Sequence, residues 1–339
     1  MSRGRLLLKL AVLLACVAAL AWTIRSLDPG AVLRSLEGAD PGWLLVSIVF
    51  VVGRYAIWGI KWTRMIRRDA PIEVRPVLSS IMAGSFLNLT TPTAKLAGGF
   101  LRAAIVSRIT GLRLATSYGW ALADQVSNVL GYMLLGGASA LLATLSLPQG
   151  ADPTRYLVAG WVMLGGLVLA ALLRRPVWRL AAHPRPARWL ARITPRRFRQ
   201  EAEGKSTAAW LAPMLRPTLL AGSTVKDVPQ DILLACASWG SMCVANALVF
   251  KALGAPVSVF AVAFALIVAS VFGTVTPGGV GATEAALIPL LIAQGVPGDV
   301  AAAGALLHRA TYYAVILVWG GISLAGTRKV LASSGASAS

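Results

Sequence analysis

Residues 276–284 read Thr276-Pro277-Gly278-Gly279-Val280-Gly281-Ala282-Thr283-Glu284, a glycine-rich break that carries a carboxylate inside an otherwise apolar part of the chain. Arg309 follows 25 residues after Glu284. Helix breaks and charges at membrane depth cost free energy, and proteins keep them mainly where they are used. This stretch therefore indicates a functional centre inside a membrane protein.

The composition of the whole chain is typical of a protein with many membrane-spanning helices. Of its 339 residues, 57% are apolar and only 13% are charged, and the apolar residues form long blocks rather than alternating or heptad patterns. A block of about 18 residues or more can cross the hydrocarbon core of a bilayer. We predict six spanning helices, in blocks 6–24, 43–60, 118–147, 156–173, 232–250 and 301–324.

Two further apolar stretches, 77–109 and 257–293, are interrupted by proline, glycine and polar residues. We interpret each as a re-entrant helical hairpin, because broken helices at membrane depth are tolerated where they line a cavity or are buried in protein. The first block could instead be a signal peptide, but its apolar run continues well past Cys16, so we expect it to be retained. The predicted fold class is all-α: a polytopic membrane protein with about six spanning helices and two re-entrant hairpins.

The net charge of +19 is concentrated in a few connections between the apolar blocks. Residues 174–230 contain 12 of the 32 Lys and Arg side chains, and residues 61–75 contain five more. By the positive-inside rule, we expect both segments and both termini in the cytoplasm, with the chain in a bacterial inner membrane. The central segment either lies on the anionic inner leaflet or only fixes the orientation, and both interpretations stay open. Nucleic acid is not expected as a partner.

The sequence contains an internal repeat at an offset of 185 residues. This offset places Thr91-Pro92 on Thr276-Pro277 and Asp124 on Arg309. Each half of the chain therefore has a charged residue at the same distance after its Thr-Pro pair. Several coincidences at one offset favour a duplication over chance.

The predicted orientation makes the two halves inverted copies, because the first begins in the cytoplasm and the second outside. The chain is then one membrane domain, 1–339, with repeat halves 1–150 and 151–330. The basic cytoplasmic loop 174–230 is an insertion in the second half. Inverted repeats with broken helices are typical of transporters.

The helix breaks indicate where an anion binds. Pro92 and Pro277, with their neighbouring glycines, would each interrupt a helix and leave free N–H groups at the start of the next one. Such N–H groups form an anion site. The alternative is a kink that serves packing only.

Basic side chains lie near both breaks. Arg102 and Arg309 have the planar set of donors that binds phosphate through two hydrogen bonds, and Lys95 adds a more mobile charge. Arg309 lies deep in its span and cannot easily extend to the surface. Arg102 could reach the cytoplasmic surface, as we expect Arg54 to do from two turns above Lys61.

Acidic and polar residues provide partners for these cations. Asp124 and Asn128 lie on one face of the third predicted span, together with Tyr132, and a polar stripe of this kind should face the protein interior. Asp124 could pair with Arg102 and Glu284 with Arg309. Such pairs are either static structural bridges or contacts that exchange with a substrate, and both possibilities stay open.

Several of these residues together resemble a known family. The stretch Pro277-Gly278-Gly279-Val280-Gly281 with Glu284, Arg309 and Tyr312, and Gly98-Gly99 with Arg102, are similar to the transmembrane domain of lysylphosphatidylglycerol synthases and their stand-alone flippase-like relatives. The resemblance implies an inner-membrane protein that moves or modifies lipids, including aminoacylated phospholipids and polyprenyl lipids that carry glycans. The chain departs from the family's pattern of a Glu-Arg pair and a later Asp, since it has Asp124-Gln125 and Asn128 there. Because it stops at Ser339, we do not expect the soluble aminoacyl-transferase domain.

We predict that the protein translocates an anionic lipid, a phospholipid or a polyprenyl phosphate, across the inner membrane. The alternatives are a membrane-embedded transferase acting on a lipid-linked substrate and a non-catalytic partner of a lipid-modifying enzyme. The sequence contains no convincing nucleotide, metal or nucleophile motif, so we expect neither cofactor nor metal. The predicted substrate-binding residues are Thr91, Pro92, Lys95, Arg102, Asp124, Asn128, Thr276, Pro277, Gly278, Gly279, Gly281, Glu284, Arg309 and Tyr312.

Overall fold

The computed structural model describes residue 25 and residues 28–91, 96–147, 152–181, 227–255, 257–273, 276 and 279–332. All regular secondary structure in these ranges is helical. A 3₁₀ turn spans Thr144–Ser146, and a π-helical turn spans Ile316–Gly320. The helices are α1 (Pro29–Glu37), α2 (Pro41–Ile66), α3 (Val74–Thr90), α4 (Leu96–Thr110), α5 (Leu114–Ala143), α6 (Thr154–Ala181), α7 (Asp227–Ala252), α8 (Val259–Phe272), α9 (Ala282–Ile292), α10 (Gly298–Val315) and α11 (Gly321–Ala332).

Five helical segments within the described ranges are long and apolar enough to cross a membrane: α2, α5 with its 3₁₀ turn, α6, α7 and Gly298–Thr327. They confirm five of the six predicted spans, and block 6–24 lies outside the described residues. On α6, Trp161, Val162 and Leu172 are 65–69% exposed. A long helix with so many exposed apolar side chains is suited to lipid rather than to water. The chain is a multi-pass membrane protein.

The sequence Asp-Pro-Gly begins both α1 and α2. The Gly30 N–H donates to Asp28 Oδ1 at 2.9 Å, and the Gly42 N–H donates to Asp40 Oδ1 at 2.7 Å. Proline at the first helical position has no N–H that needs a partner, so the aspartate and the proline together satisfy the helix start. The polar cap, rather than the edge of the apolar block, therefore sets where each helix begins.

Helix α2 continues to Ile66, beyond the predicted end of the span at residue 60. Lys61 lies inside this helix with a side chain that is fully buried, so the prediction that Lys61 begins a cytoplasmic loop is wrong. The helix can continue because the Lys61 ammonium meets the Asp124 carboxylate at 2.9 Å inside the protein. Helix α6 likewise continues to Ala181, past the predicted loop start at residue 174.

Each predicted hairpin region contains two shorter helices that pack against each other, α3 with α4 and α8 with α9. In the first hairpin, Gly84 faces Gly98 so closely that a Cβ on Gly84 would lie 2.7 Å from the Gly98 carbonyl oxygen. The Asn88 side chain accepts a hydrogen bond from the Gly98 N–H at 2.8 Å. The two glycines thus allow a backbone contact that any side chain would prevent.

The tip of the second hairpin depends on two glycines in the left-handed region. Gly279 has φ 80° and Gly281 has φ 77°. Side chains other than glycine are strained in this conformation because the Cβ lies too close to the following carbonyl oxygen. Gly279 and Gly281 of the glycine-rich break are therefore required by the backbone of the turn that precedes α9.

Helices α2 and α7 pack side by side and run in opposite directions. The Asp40 N–H, at the start of α2, donates to the carbonyl of Ala252, the last residue of α7, at 2.8 Å. At the other end, Arg68 just after α2 pairs with Asp231 near the start of α7 at 2.7 Å. Helices α2 and α7, one from each predicted half, are thus antiparallel neighbours.

The helix starts agree with the 185-residue offset. Helices α2, α3, α4 and α5 begin at residues 41, 74, 96 and 114, and α7, α8, α9 and α10 begin at residues 227, 259, 282 and 298. Every pair matches the offset to within about one residue, which is the usual uncertainty of a helix boundary. Because α2 and α7 are antiparallel, the two sets of helices are oppositely oriented. The division into halves 1–150 and 151–330 stays a prediction.

Replacing Gly279 with alanine tests the hairpin tip. The new Cβ would lie 2.8 Å from Thr283 Oγ1 in a backbone conformation with φ 80°, so we expect a loss of stability of about 1–2 kcal/mol. Thermal unfolding of the purified protein in detergent measures this loss. The control is Gly240→Ala on α7, where a Cβ meets nothing within 4 Å and should be neutral or slightly stabilising. Equal melting temperatures for the two variants would contradict the proposed strain.

Candidate functional site

A cavity of about 410 Å³ lies between the two hairpins. Asn88 and Gly99 line it from the first hairpin, and Ser270 and Gly279 line it from the second. Helices α2, α5, α7 and α10 supply the remaining walls. Arg54, which also lines the cavity, lies at the middle of the 26-residue helix α2, about 18 Å from either end. The cavity is therefore at the middle of the helical bundle.

The Asp124 carboxylate on α5 is fully buried beside this cavity and has three side-chain partners. Lys61 Nζ on α2 lies 2.9 Å from Asp124 Oδ1, and Arg102 Nη1 on α4 lies 2.9 Å from Asp124 Oδ2. The Trp58 indole N–H, one turn before Lys61, donates to the same carboxylate at 3.0 Å. Lys61 also donates to Asn128 Oδ1 at 2.7 Å. One carboxylate therefore holds three helices together.

Arg102 does not reach the cytoplasmic surface, because its side chain is 4% exposed and faces the bundle interior. In addition to Asp124, it donates to the Ala121 carbonyl at 3.2 Å. Its guanidinium carbon lies 4.7 Å from the centre of the Trp62 ring. Arg102 is thus held by an anion, a carbonyl and an aromatic face.

The second hairpin has its own ion pair. Arg309 on α10 pairs with Glu284 in the first turn of α9. Arg309 Nη2 also donates to the Gly279 carbonyl at 2.9 Å, and its guanidinium lies over the Tyr313 ring at 5.0 Å. Arg309 therefore fastens the glycine tip and the start of α9 to α10.

The two ion pairs occupy related positions with opposite signs. At the 185-residue offset Asp124 corresponds to Arg309, and Glu284 corresponds to Gly99, one helical turn before Arg102. In each half, a charge on the helix after the hairpin pairs with the opposite charge on the second hairpin helix. Both halves therefore contain the same kind of ion pair, but the positions of the positive and negative charges are exchanged.

Arg54 differs from these cations because none of the ion pairs between described residues includes it. Its side chain is buried in the bundle, so the expectation that it reaches the cytoplasmic surface is wrong. The aromatic rings of Trp239, Tyr55 and Tyr312 lie 4.3, 5.2 and 5.6 Å from its guanidinium carbon. Within the described ranges, its Nε and Nη1 atoms have no hydrogen-bond partner.

The charges around the cavity are unbalanced. Among the described residues that line the cavity or belong to the ion pairs beside it, there are four cations and two carboxylates. The cations are Arg54, Lys61, Arg102 and Arg309, and the carboxylates are Asp124 and Glu284. The described part of the chain contains no group of three or more His, Cys, Asp or Glu side chains suited to a metal ion. The described residues around the cavity thus carry an excess of positive charge.

The structure brings most of the predicted site residues together. Arg102, Asn128, Gly279, Arg309 and Tyr312 line the cavity. Asp124 and Glu284 are buried behind the lining as ion-pair partners, and Thr276 and Gly281 are buried at the second tip. Thr91 ends the first hairpin helix and donates to the Leu87 carbonyl. Four predicted residues, Pro92, Lys95, Pro277 and Gly278, lie outside the described residues.

Sequence analysis missed Arg54, Trp58 and Lys61 as members of the site. They recur at i, i+4 and i+7 and so share one face of α2. A stripe of this kind inside a spanning helix is the signal that could have found them, as the similar stripe containing Asp124 was found. Trp239 was missed as well, although it is the counterpart of Arg54 at the 185-residue offset.

Asp124→Asn tests the three-helix contact. Neutralising this carboxylate leaves the buried Lys61 and Arg102 cations without their anion, and we expect a loss of about 3–5 kcal/mol in stability. Thermal unfolding in detergent measures it, with Glu37→Gln at the exposed end of α1 as a neutralisation control. An Asp124→Asn protein as stable as the control would show that the carboxylate is not needed for folding.

Neutralising Glu284 and Arg309 singly and together tests whether their pair is static. Because Arg309 holds both Glu284 and the hairpin tip, we expect each single glutamine variant to lose about 3–5 kcal/mol and the double variant to lose less than the sum. A cycle of melting temperatures for the four proteins gives the coupling. If both single variants keep the wild-type melting temperature, the pair does not hold the hairpin.

Comparison with known proteins extends over nearly the whole chain. The family model described as the lysylphosphatidylglycerol synthase TM region matches residues 6–320. A UPF0104 membrane protein of Methanothermobacter thermautotrophicus is 24% identical over 317 residues, which cover 90% of this chain and 91% of the relative. A second one from the same organism is 24% identical over 308 residues, covering 87% and 86%. A UPF0104 membrane protein of Pyrococcus horikoshii is 22% identical over 314 residues, covering 89% and 92%.

Proposed function

This chain belongs to the lysylphosphatidylglycerol synthase transmembrane-region family, and we propose that it translocates an anionic lipid from one membrane leaflet to the other. The observation that carries the proposal is the excess of positive charge around a cavity at the middle of the bundle. A buried charge without a partner costs several kcal/mol. An anionic head group that enters the cavity supplies the missing counter-charge.

The two hairpins give the cavity the form of a transport site. Their helices pack on the antiparallel neighbours α2 and α7, which supports a model in which the two hairpins enter the bundle from opposite ends. Inverted sets of broken helices around a central site support alternating access, in which one set moves against the other. During such a movement the head group stays in the polar cavity while the acyl chains stay in the lipid, which avoids the cost of carrying a charge through hydrocarbon.

The proposed membrane is the cell membrane, with both termini and the basic segment 174–230 in the cytoplasm. This orientation is supported by the distribution of Lys and Arg along the chain. The relatives described above are archaeal. The prediction that this chain lies in a bacterial inner membrane is therefore part of the proposal. A lipid-modifying enzyme as partner, which would dock on the basic segment, is also only proposed.

A leaflet-exchange assay tests the function. Protein reconstituted into liposomes should speed the exchange of a fluorescent anionic lipid, measured with a membrane-impermeant reductant that bleaches the outer leaflet only. Ser270→Phe should abolish the acceleration, since Ser270 lines the cavity and the phenyl ring fills part of it. Ser146→Phe, at an exposed position outside the cavity, is the matched control and should exchange lipid at the wild-type rate.

The mass of the lipid after the assay separates transport from catalysis. Translocation leaves the mass unchanged, whereas a transferase that uses Asp124 or Glu284 as a base yields a product of new mass. The assay is repeated with phospholipids and polyprenyl phosphates. If it gives a product of new mass and no accelerated exchange, the transferase hypothesis replaces the translocation hypothesis. If the assay shows neither accelerated exchange nor a new product, the remaining hypothesis is a non-catalytic partner of a lipid-modifying enzyme.

A further inference from the structure

Arg54 lies where the two sets of helices meet. Its counterpart at the 185-residue offset is Trp239, and the Arg54 guanidinium carbon lies 4.3 Å from the centre of the Trp239 ring. Two related positions can touch only near the axis that relates them. Arg54 therefore lies near the centre of the bundle, and it lines the cavity.

The surroundings of Arg54 compensate its charge only in part. Three aromatic faces lie within 6 Å of the guanidinium, and such faces attract a cation without neutralising it. The Tyr312 hydroxyl is its polar side-chain partner. The Nε and Nη1 atoms are buried and unpartnered among the described residues, and the residue as a whole is 7% exposed. A buried donor without an acceptor is costly, so these atoms are available to a ligand.

The other cations of the centre are engaged. Lys61 and Arg102 share Asp124, and Arg309 holds Glu284 and the Gly279 carbonyl. Arg54 is thus the cation best placed to meet an anion inside the cavity. A guanidinium matches the oxygen geometry of phosphate better than an ammonium does, because its planar donors can form two parallel hydrogen bonds.

We propose that Arg54 binds the phosphate of the ligand and that the centre selects a terminal phosphomonoester, which carries two negative charges, over a phosphodiester. This inference rests on the proposed function and specifies its substrate class. The centre has an excess of two positive charges over the described carboxylates. A dianion balances this excess, whereas a phosphodiester, with one negative charge, leaves one positive charge uncompensated. An aminoacylated head group, which adds an ammonium, is disfavoured further.

Binding of two matched lipids tests the selectivity. Phosphatidic acid has a terminal phosphomonoester, and phosphatidylglycerol with the same acyl chains has a phosphodiester. Each is added to the protein in phosphatidylcholine nanodiscs, at a pH well above the second pKa of the phosphatidic acid head group in the bilayer. We expect phosphatidic acid to raise the melting temperature of the protein and to bind about tenfold more tightly than phosphatidylglycerol. Equal binding of the two lipids would overturn the selectivity.

Inorganic phosphate, added alone to the same nanodiscs, identifies the source of the phosphate. Stabilisation by phosphatidic acid but not by inorganic phosphate shows that the ligand is a lipid. If inorganic phosphate and phosphatidic acid stabilise the protein equally, a free phosphate is the ligand. Arg54 then keeps its role in binding phosphate, but the ligand is not a lipid.

Variants of Arg54 test its role directly. Arg54→Gln should weaken the binding of phosphatidic acid about tenfold or more, and Arg54→Lys should restore it only in part because the planar donors are lost. The matched control is Arg34→Gln on α1, where the Arg34 side chain is 72% exposed. Without ligand, Arg54→Gln should melt at or above the wild-type temperature, because it removes an uncompensated buried charge.

Each outcome decides a separate claim. Unchanged binding of phosphatidic acid by a folded Arg54→Gln protein would overturn the assignment of Arg54. If Arg54→Gln does not fold, Arg54 is structural, and the comparison of the two lipids on the wild-type protein still decides the selectivity. Fast exchange of both lipids without preference would retain translocation and reject the dianion. Tight binding of phosphatidic acid without exchange would retain the site and reject translocation.

Discussion

The Asp124 carboxylate is the contact on which the arrangement of the first half depends. It is fully buried, and it joins Lys61 of α2 and Arg102 of α4 to its own helix α5. Either cation alone would be expensive at this depth, and so would the carboxylate. Together they allow a lysine in the last turns of a spanning helix and an arginine inside a hairpin. The position of the first hairpin, and with it one wall of the cavity, follows from this contact.

In the second half, the buried charges are also compensated by an ion pair, but the positions of the cation and the anion are exchanged. Arg309 takes the place of Asp124, and Glu284 supplies the anion from the second hairpin helix. In each half the ion pair fixes a hairpin to the helix that follows it. The two hairpins are therefore held independently, and the cavity lies between two units that have separate anchors. This arrangement explains why the glycines of the second tip are needed, because the Gly279 carbonyl must point back to Arg309.

Much of the fold could be predicted from sequence because its signals are local. Apolar blocks locate the spans, and the glycine-rich break at 276–284 locates the turn between α8 and α9. The burial of the Arg54 and Lys61 side chains could not be predicted from such local signals. Hydropathy ends the block at Lys61, and the partner that keeps this lysine buried is 63 residues away at Asp124. Arg54 looks able to extend to the surface until Trp239, from the other half of the chain, is seen to cover it. Long-range partners, rather than propensity, decide whether a charge in a membrane helix is buried or exposed.

The charge excess also connects the centre to the electric field across a membrane. A field acts on net charge, and moving one elementary charge through the full potential involves about 2.3 kcal/mol for each 100 mV. If the movement proposed for transport shifts this centre along the membrane normal, its four described cations and two carboxylates carry two net positive charges through the field. A centre that holds a dianion is neutral and moves without electrical work. Voltage would therefore act on the return of the empty protein and leave the loaded step almost unaffected.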